Sequence, residues 1–250
     1  MPLFRFFSVF LPLIFIAPPA IAQKWGKCPR ETQDLVDRAD RILFARTTAG
    51  KMTMTVRKPD QNTTMSMTFW SSGRDRMLVR LDEPARVAGM ATLKVADNVW
   101  YYMPRTDRIV KVGSSMLGDS WMGSHFTNDD LIRETQLYLH YECAARTDEN
   151  DTAVITLVPL RNAPVVWGRI VIRIQKADAI PLLTQYFSEK GQLKRTMTFD
   201  RIQKMDGRRI PTRMTLTFPG KNESTEVVYD KIRFDVVIPD RVFSLRGLKR

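Results

Sequence analysis

The sequence has few of the residues that usually build metal or nucleotide sites. Its 250 residues include two cysteines and two histidines, and their spacing matches no zinc-binding pattern. The glycine-rich patterns that cradle dinucleotides or phosphate groups do not occur. We therefore expect no metal ion and no nucleotide cofactor.

The one segment that suggests a hydrolase carries an incomplete motif. Asp119, Ser120 and His125 lie close together in the sequence. A nucleophile elbow requires Gly-x-Ser-x-Gly on a strand–turn–helix, and the run from Gly118 to Met122 lacks the second glycine. Because triads assemble in space and not in sequence order, a hydrolase stays open as a third hypothesis. The sequence itself predicts no enzyme and no catalytic residues.

Long apolar runs are absent except at the start of the chain. The run Phe6–Ile16 is almost wholly apolar, follows Arg5 and precedes Ala20-Ile21-Ala22, a small-x-small pattern typical of signal-peptide cleavage. It is well short of the roughly 20 residues that span a bilayer. The sequence therefore predicts a cleaved secretory signal peptide at residues 1–22 and a single mature domain at residues 23–250.

Acidic residues are scarce relative to basic ones. The chain has 39 lysines and arginines against 27 aspartates and glutamates, a net charge of +12. Such a surface favours anionic partners, among them membrane head groups and acidic proteins, although the charge could equally serve solubility alone. Export and the absence of a nucleic-acid-binding motif argue against nucleic acid. We expect transient contact with a membrane surface.

The two cysteines, Cys28 and Cys143, both lie beyond the signal peptide. In an oxidising compartment an isolated pair forms a disulfide more often than it stays as two thiols. We predict a Cys28–Cys143 disulfide, which would tie the N-terminal segment to the middle of the chain.

Most of the mature chain alternates between apolar and polar residues. A helical pattern over residues 31–44, with Thr32 as a candidate cap, is followed by period-two stretches such as Met52, Met54 and Val56. About ten or eleven mostly antiparallel strands are expected, with a short last strand at 241–245. A sheet of that size must close, curl or cover its edges.

One segment, residues 113–130, interrupts this alternation. It is rich in glycine and serine and carries Trp121, Met122 and Phe126. Thr127 or Asn128 could cap a short helix after it. Loops of this length in a compact β domain are usually functional or serve as lids.

Several stretches together resemble a known family. They are Leu93–Pro104 with its Trp-Tyr-Tyr-Met-Pro, Arg105–Lys111, Gly118–Leu131 with its Gly-Ser-His-Phe-Thr-Asn-Asp-Asp-Leu, Asp206–Met214 and Phe243–Arg246. Over roughly residues 40–248 the chain resembles the outer-membrane lipoprotein-sorting protein family, the LolA-like periplasmic proteins.

The resemblance implies a fold and a function. The fold would be mainly β with a few helices: a strongly curved antiparallel sheet forming a half-open β-barrel, its concave face covered by helices and a lid loop. The protein would be a periplasmic carrier that binds lipid or the acyl chains of lipoproteins and moves them toward the outer membrane. Its partners would include an inner-membrane transporter or an outer-membrane acceptor. A lipid-responsive sensor or adaptor that binds a membrane protein is the alternative.

The acyl-binding residues are predicted from this resemblance together with the methionine-rich alternation. The chain has 13 methionines, and methionine suits adaptable apolar surfaces. A one-residue slip in strand orientation would replace Trp100 and Tyr102 by Tyr101 and Met103. The predicted wall residues are Met54, Met65, Met67, Phe69, Trp100 and Tyr102, and the predicted lid residues are Trp121, Met122 and Phe126.

Overall fold

All strands of the described chain belong to one antiparallel sheet. The computed structural model describes residues 26–133 and 137–250, and the predicted signal peptide lies outside them. The thirteen strands are β1 (Thr47–Lys58), β2 (Gln61–Ser72), β3 (Arg76–Glu83), β4 (Ala91–Val95), β5 (Asn98–Met103), β6 (Arg108–Lys111), β7 (Tyr141–Glu149), β8 (Thr152–Pro159), β9 (Arg169–Gln175), β10 (Ile180–Phe187), β11 (Leu193–Met205), β12 (Arg208–Thr217) and β13 (Ser224–Phe234).

The helices of the described chain are short. They are α1 (Arg30–Asp40), α2 (Asn128–Arg133), α3 (Leu137–His140) and α4 (Leu245–Leu248), with 3₁₀ turns at Pro104–Thr106, Ser114–Met116, Trp121–Gly123 and Asp240–Phe243. Within the described ranges, none is both long enough and apolar enough to pass through a membrane. The predicted mainly β fold with a strongly curved antiparallel sheet is confirmed.

The strand order explains how the molecule is built. The chain enters the sheet in the middle, and β1 to β6 run outward in sequence to one edge. The second half begins at the opposite edge with β7 and returns strand by strand until β13 pairs with β1. The segment between β6 and β7 must therefore join the two outermost edges of the sheet.

Alternation along the central strands sets the face that carries the main core. On β1, Met52, Met54 and Val56 are buried, and the intervening residues are more exposed. Across the ladder, Met54 lies opposite Met65. Because successive side chains of a strand point to opposite faces, these methionines share the concave face with Phe69 on β2, and all join the main apolar core.

The outer face of β3 to β5 is covered as well. Leu78, Ala91 and Leu93 pack there against Phe243 and Leu248 from the C-terminal segment. This explains why β4 is buried on both faces.

The strand expected at 241–245 is wrong. The segment forms the 3₁₀ turn Asp240–Phe243 followed by α4, because Ser244 caps α4 by accepting a hydrogen bond from the Gly247 N–H at 3.0 Å.

The other differences concern an edge strand and a helix. The sheet has thirteen strands and not ten or eleven. The outer half of β7, Arg146 to Glu149, is polar and mostly exposed, so it carries little of the apolar alternation by which strands are recognised. Helix α1 starts at Arg30 after Pro29, so the predicted cap at Thr32 is wrong. Thr32 is buried inside the helix and accepts a hydrogen bond from Arg146 Nη1 at 3.1 Å.

The predicted disulfide is present. Cys28 and Cys143 are bonded, with their Cα atoms 5.7 Å apart, across a sequence separation of 115 residues. The Lys27 N–H donates to the Cys143 carbonyl at 2.8 Å. The start of α1 is thereby fastened to edge strand β7.

Replacing both cysteines by alanine should destabilise the protein without changing its fold. Cross-linking a loop of this length restricts the unfolded chain by about 4 to 5 kcal/mol in the entropic model. Urea unfolding of the double variant should show a free energy of unfolding lowered by about that amount. The wild type under reductant is the matched control, and equal stabilities with and without reductant would contradict the prediction.

Candidate functional site

A cavity lies between the concave face of the sheet, α1 and the β6–β7 connection. Its volume is about 240 Å³, more than the roughly 150 Å³ of an apolar cavity that accepts benzene. We call it the main cavity. Its apolar wall includes Val36, Ala39, Met52, Met77, Val79, Trp121, Phe126, Leu131, Leu137, Ile172, Met197, Phe199, Met214, Val227 and Tyr229.

A second cavity of about 460 Å³ lies farther along the same strands. On β1, Met52 borders the main cavity and Val56 the second one, while Met54 lies between them. Met54 and Met67 have no exposed surface. The second cavity is lined by Val56, Lys58, Gln61, Thr63, Met65, Leu81, Arg86, Val87, Met90, Tyr101, Met103, Ser120, Met122 and Gly123.

The connection from β6 to β7 crosses the concave face and covers both cavities. We call its described residues, 113–133 and 137–140, the lid. Trp121 is buried and its Nε1 donates to Thr92 Oγ1 on β4 at 3.0 Å. The Tyr101 hydroxyl on β5 donates to the side chain of Asn128 at the start of α2. The lid is thus fixed to the strands of the first half of the sheet.

A buried ion pair fixes the lid to the other half of the sheet. Both terminal nitrogens of Arg195 on β11 donate to the Asp130 carboxylate on α2 at 2.8 Å. The two side chains are only 4% and 9% exposed. The guanidinium also lies over the rings of Trp167 and Tyr186, at 4.6 and 4.3 Å from their centroids. A bidentate pair in this setting is a strong and directional contact.

The tip of the lid rests on β13. The His125 backbone N–H donates to Thr225 Oγ1 at 3.1 Å, and its ring Nδ1 contacts the same oxygen at 2.8 Å. Its Nε2 lies 3.4 Å from Glu223. Burial lowers the pKa of His125, and the Glu223 carboxylate opposes that shift.

The residues considered for a hydrolase are not joined by a hydrogen bond. The Ser120 hydroxyl donates to the Ser124 carbonyl, while the His125 ring is engaged by Thr225 and Glu223. The described geometry therefore contains no Ser120–His125 nucleophile–base pair.

One end of the main cavity is charged. Arg74 contacts Asp37 at 3.2 Å and Asp40 at 3.1 Å, and its side chain is 10% exposed. Asp40 borders the cavity. Burial raises the pKa of Asp40 to about 7, and the neighbouring Asp37 adds to this, while Arg74 opposes both. Lys94 of β4 borders the same cavity.

The structure distributes the predicted acyl-binding residues over four places: the two cavities, the core between them and the outer face of the sheet. Trp121 and Phe126 line the main cavity, and Met65 and Met122 line the second. Met54 and Met67 pack in the core between the cavities, with no exposed surface.

Phe69 lies beside them in the same core, in edge-to-face contact with Tyr229 at 5.8 Å. Its ring occupies the space above Gly50 on β1, where a Cβ would stand 2.8 Å from it.

Trp100 and Tyr102 are not brought to either cavity. They pack on the outer face with the C-terminal segment, and the alternative residues Tyr101 and Met103 face the second cavity. Successive side chains of β5 point to opposite faces, so a shift of one residue in the assigned orientation exchanges Trp100 and Tyr102 for Tyr101 and Met103 on the cavity side. The apolar pattern of the strand does not indicate which pair faces inward, because the sheet is covered on both faces here.

Sequence reasoning missed the charged residues of the site. Arg74, Lys94 and Arg195 come from β strands or a turn and meet α1 or the lid only in the fold. The one available signal was Lys94, a lysine inside the short apolar strand Ala91–Val95.

Comparison with known proteins supports the fold. A family model described as "Uncharacterized protein" matches residues 73–250, and no curated protein matches the chain. A DUF1329 family protein from Desulfovibrio piger is 22% identical with a TM-score of 0.76, covering 88% of this chain and 98% of that one.

Two further solved structures share the fold. A domain described as outer membrane lipoprotein-sorting, from Vibrio parahaemolyticus, is 24% identical with a TM-score of 0.73, covering 88% and 97% of the two chains. A LolA superfamily protein from Nitrosomonas europaea is 19% identical with a TM-score of 0.68, covering 85% and 96%. The predicted LolA-like fold is confirmed.

Breaking the buried ion pair should destabilise the lid. Arg195→Met leaves Asp130 buried without its partner, which costs about 3 to 5 kcal/mol of unfolding free energy. Adding Asp130→Leu should recover part of the loss. Arg173→Met is the matched control, since its pair with Glu149 is exposed and worth at most about 1 kcal/mol. Equal losses for Arg195→Met and Arg173→Met in urea unfolding would contradict this.

Asp40 should make stability depend on pH. Because its folded pKa lies above its unfolded value, the folded state binds this proton more tightly, and that contribution is lost as pH rises from about 4 through about 7. Asp40→Asn mimics the protonated form. The variant should match the wild type near pH 3, below the unfolded pKa, and exceed it by about 1 to 4 kcal/mol at pH 8. Parallel stability curves between these pH values would refute the assignment.

Proposed function

Because this chain belongs to the family of uncharacterized proteins whose model spans residues 73–250 and has a LolA-like fold, we propose that it is a periplasmic lipid carrier. Residues 23–250 act as a single domain. The domain binds lipid or the acyl chains of lipoproteins beneath the lid and moves them toward the outer membrane.

The observation that carries this proposal is the apolar main cavity beneath a lid fixed by specific polar contacts. Each methylene removed from water contributes about 0.8 kcal/mol, so a 16-carbon chain gains roughly 12 kcal/mol. An acyl chain therefore needs shelter to cross an aqueous compartment. A wall containing Met52, Met77, Met197 and Met214 can adjust to a flexible guest.

The second cavity provides space for the remainder of a long acyl chain. Met54 and Met67 separate the two cavities, and methionine has three rotatable side-chain bonds. Rotation of these two side chains would join both cavities along the concave face. The predicted binding role of Met54, Met65, Met67, Phe69, Trp121, Met122 and Phe126 rests on this arrangement, whereas Trp100 and Tyr102 support the sheet from outside.

The proposal assigns no catalytic step to the protein. Ser120 and His125 have separate partners, and both hold the lid loop in position. The net charge of +12 would favour encounter with anionic membrane surfaces. The exchange partners would be an inner-membrane transporter and an outer-membrane acceptor.

Native mass spectrometry of the protein purified without detergent tests the carrier function. A bound lipid, or uptake of added phospholipid at a defined stoichiometry, is the expected result. Absence of lipid under both conditions would overturn the proposal, and recovery of one stoichiometric membrane protein in its place would favour the sensor or adaptor.

Filling the main cavity should block uptake. Val79→Phe places a ring into space that the guest would occupy and should lower lipid uptake at least about 10-fold, since volume added to a packed wall is poorly tolerated. Thr64→Phe, at an exposed position of β2, is the matched control and should leave uptake unchanged. Thermal unfolding establishes that both variants fold. Unchanged uptake by a folded Val79→Phe would argue against the main cavity as the site.

A further inference from the structure

The wall of the main cavity contains a buried cation with spare hydrogen-bonding capacity. Lys94 is 3% exposed and borders the cavity. Its Nζ donates to the carbonyl of Arg74 at 3.0 Å and to the carbonyl of Ile132 in the lid at 3.5 Å. An ammonium group has three donors, so one N–H is left for a guest.

The other charges that border this cavity have close partners of opposite sign. Asp130 is held by Arg195 at 2.8 Å, and Asp40 lies 3.1 Å from Arg74. Lys94 differs from them. Within residues 26–133 and 137–250 its ammonium group contacts two carbonyl oxygens, and no carboxylate lies at ion-pair distance from it. Asp75 and Asp97 act on it only through longer-range attraction, and Arg74 repels it.

Physical chemistry explains why this arrangement favours an anionic guest. Burying a charge without a counter-ion costs several kcal/mol, and burial accordingly lowers the pKa of Lys94. An anion that entered the cavity would supply the missing counter-charge in a site of low dielectric, where charge-assisted hydrogen bonds are strong.

We propose, building on the carrier function above, that the main cavity holds an amphiphile whose anionic head group, a carboxylate or a phosphate, binds Lys94 Nζ. Its hydrocarbon tail lies against Met52, Met77 and Val79. The acyl chains of a lipoprotein bring no such free anionic group with them into the cavity. The guest is therefore a free acidic lipid.

A pair of probes that differ only in charge tests this inference on the mature wild-type protein. The probes are the fluorescent fatty acid cis-parinaric acid and its methyl ester, titrated at pH 7. The acid should bind at least about 10-fold more tightly than the ester, as expected for one charge-assisted hydrogen bond.

Variants then assign the difference to Lys94. Lys94→Met, which keeps an unbranched side chain of similar length and removes its charge, should weaken binding of the acid at least about 10-fold and leave the ester unchanged. Lys51→Met is the matched control, because Lys51 is exposed on β1, and it should leave both affinities unchanged. If Lys94→Met does not fold, the comparison of acid and ester on the wild type decides.

A second pair of ligands distinguishes the two sources of the anion. Extraction of dioleoylphosphatidic acid and of dioleoylglycerol from phosphatidylcholine vesicles is measured with the same variants. Lys94-dependent binding of parinaric acid alone identifies a carboxylate, and Lys94-dependent extraction of the phosphatidic acid identifies a phosphate. Either result supports the proposal.

The contradicting results separate this inference from the carrier function. Equal binding of acid and ester by the wild type, with equal extraction of the two glycerolipids, would overturn the role of Lys94 and leave the carrier function intact. Failure of the wild type to bind any of the four ligands would overturn both.

Discussion

The hydrogen bonds between β1 and β13 join the first and last strands in the middle of the sheet, and the remaining architecture depends on that pairing. Since each half of the chain meanders to or from an outer edge, the β6–β7 connection has to pass from one edge to the other. On a strongly curved sheet the shortest route between the edges lies across the concave face. The lid is therefore a consequence of the topology.

This geometry also explains why the lid needs specific polar contacts in addition to its apolar packing. The part of the wall that belongs to the sheet lies on continuous strands, whose backbone groups are satisfied by the ladder, so its side chains are free to be methionine, valine and phenylalanine. The lid has no ladder of its own. Besides the apolar packing of its residues in the main core, it depends on individual directional contacts from Thr92, Tyr101, Arg195 and Thr225.

The charged end of the main cavity combines two different kinds of buried group. Arg74 and Arg195 have carboxylate partners and contribute to the attachment of α1 and the lid. Among the residues that the structure describes, Lys94 is held by the carbonyl oxygens of Arg74 and Ile132 and by no carboxylate. Paired charges hold helices, strands and the lid together. A cation without a close counter-ion can still form a favourable ion pair with an anionic guest. The paired charges thus fasten α1 and the lid, and Lys94 is the group that we propose recognises a head group.

The sequence predicted those structural elements whose signals are local in the chain. Alternation around Met52, Met54 and Val56 identified strands and their apolar face, the glycine-rich run with Trp121 and Phe126 identified the lid, and the two cysteines identified the disulfide. The strands and the lid follow from residue types a few positions apart, and the disulfide follows from there being only two cysteines in the sequence. The family resemblance supplied the curvature of the sheet.

Only the tertiary structure decided which face of β5 lies inward and which charges meet. Trp100 and Tyr102 could not be distinguished from Tyr101 and Met103, because both faces of that strand are covered, the outer one by a C-terminal segment far away in sequence. Asp130 and Arg195 are 65 residues apart in the sequence, and Lys94 contacts the lid at Ile132, which is 38 residues away in the sequence. Residue type and spacing determine local periodicity, whereas contacts at such separations depend on how the sheet curves and where the chain returns.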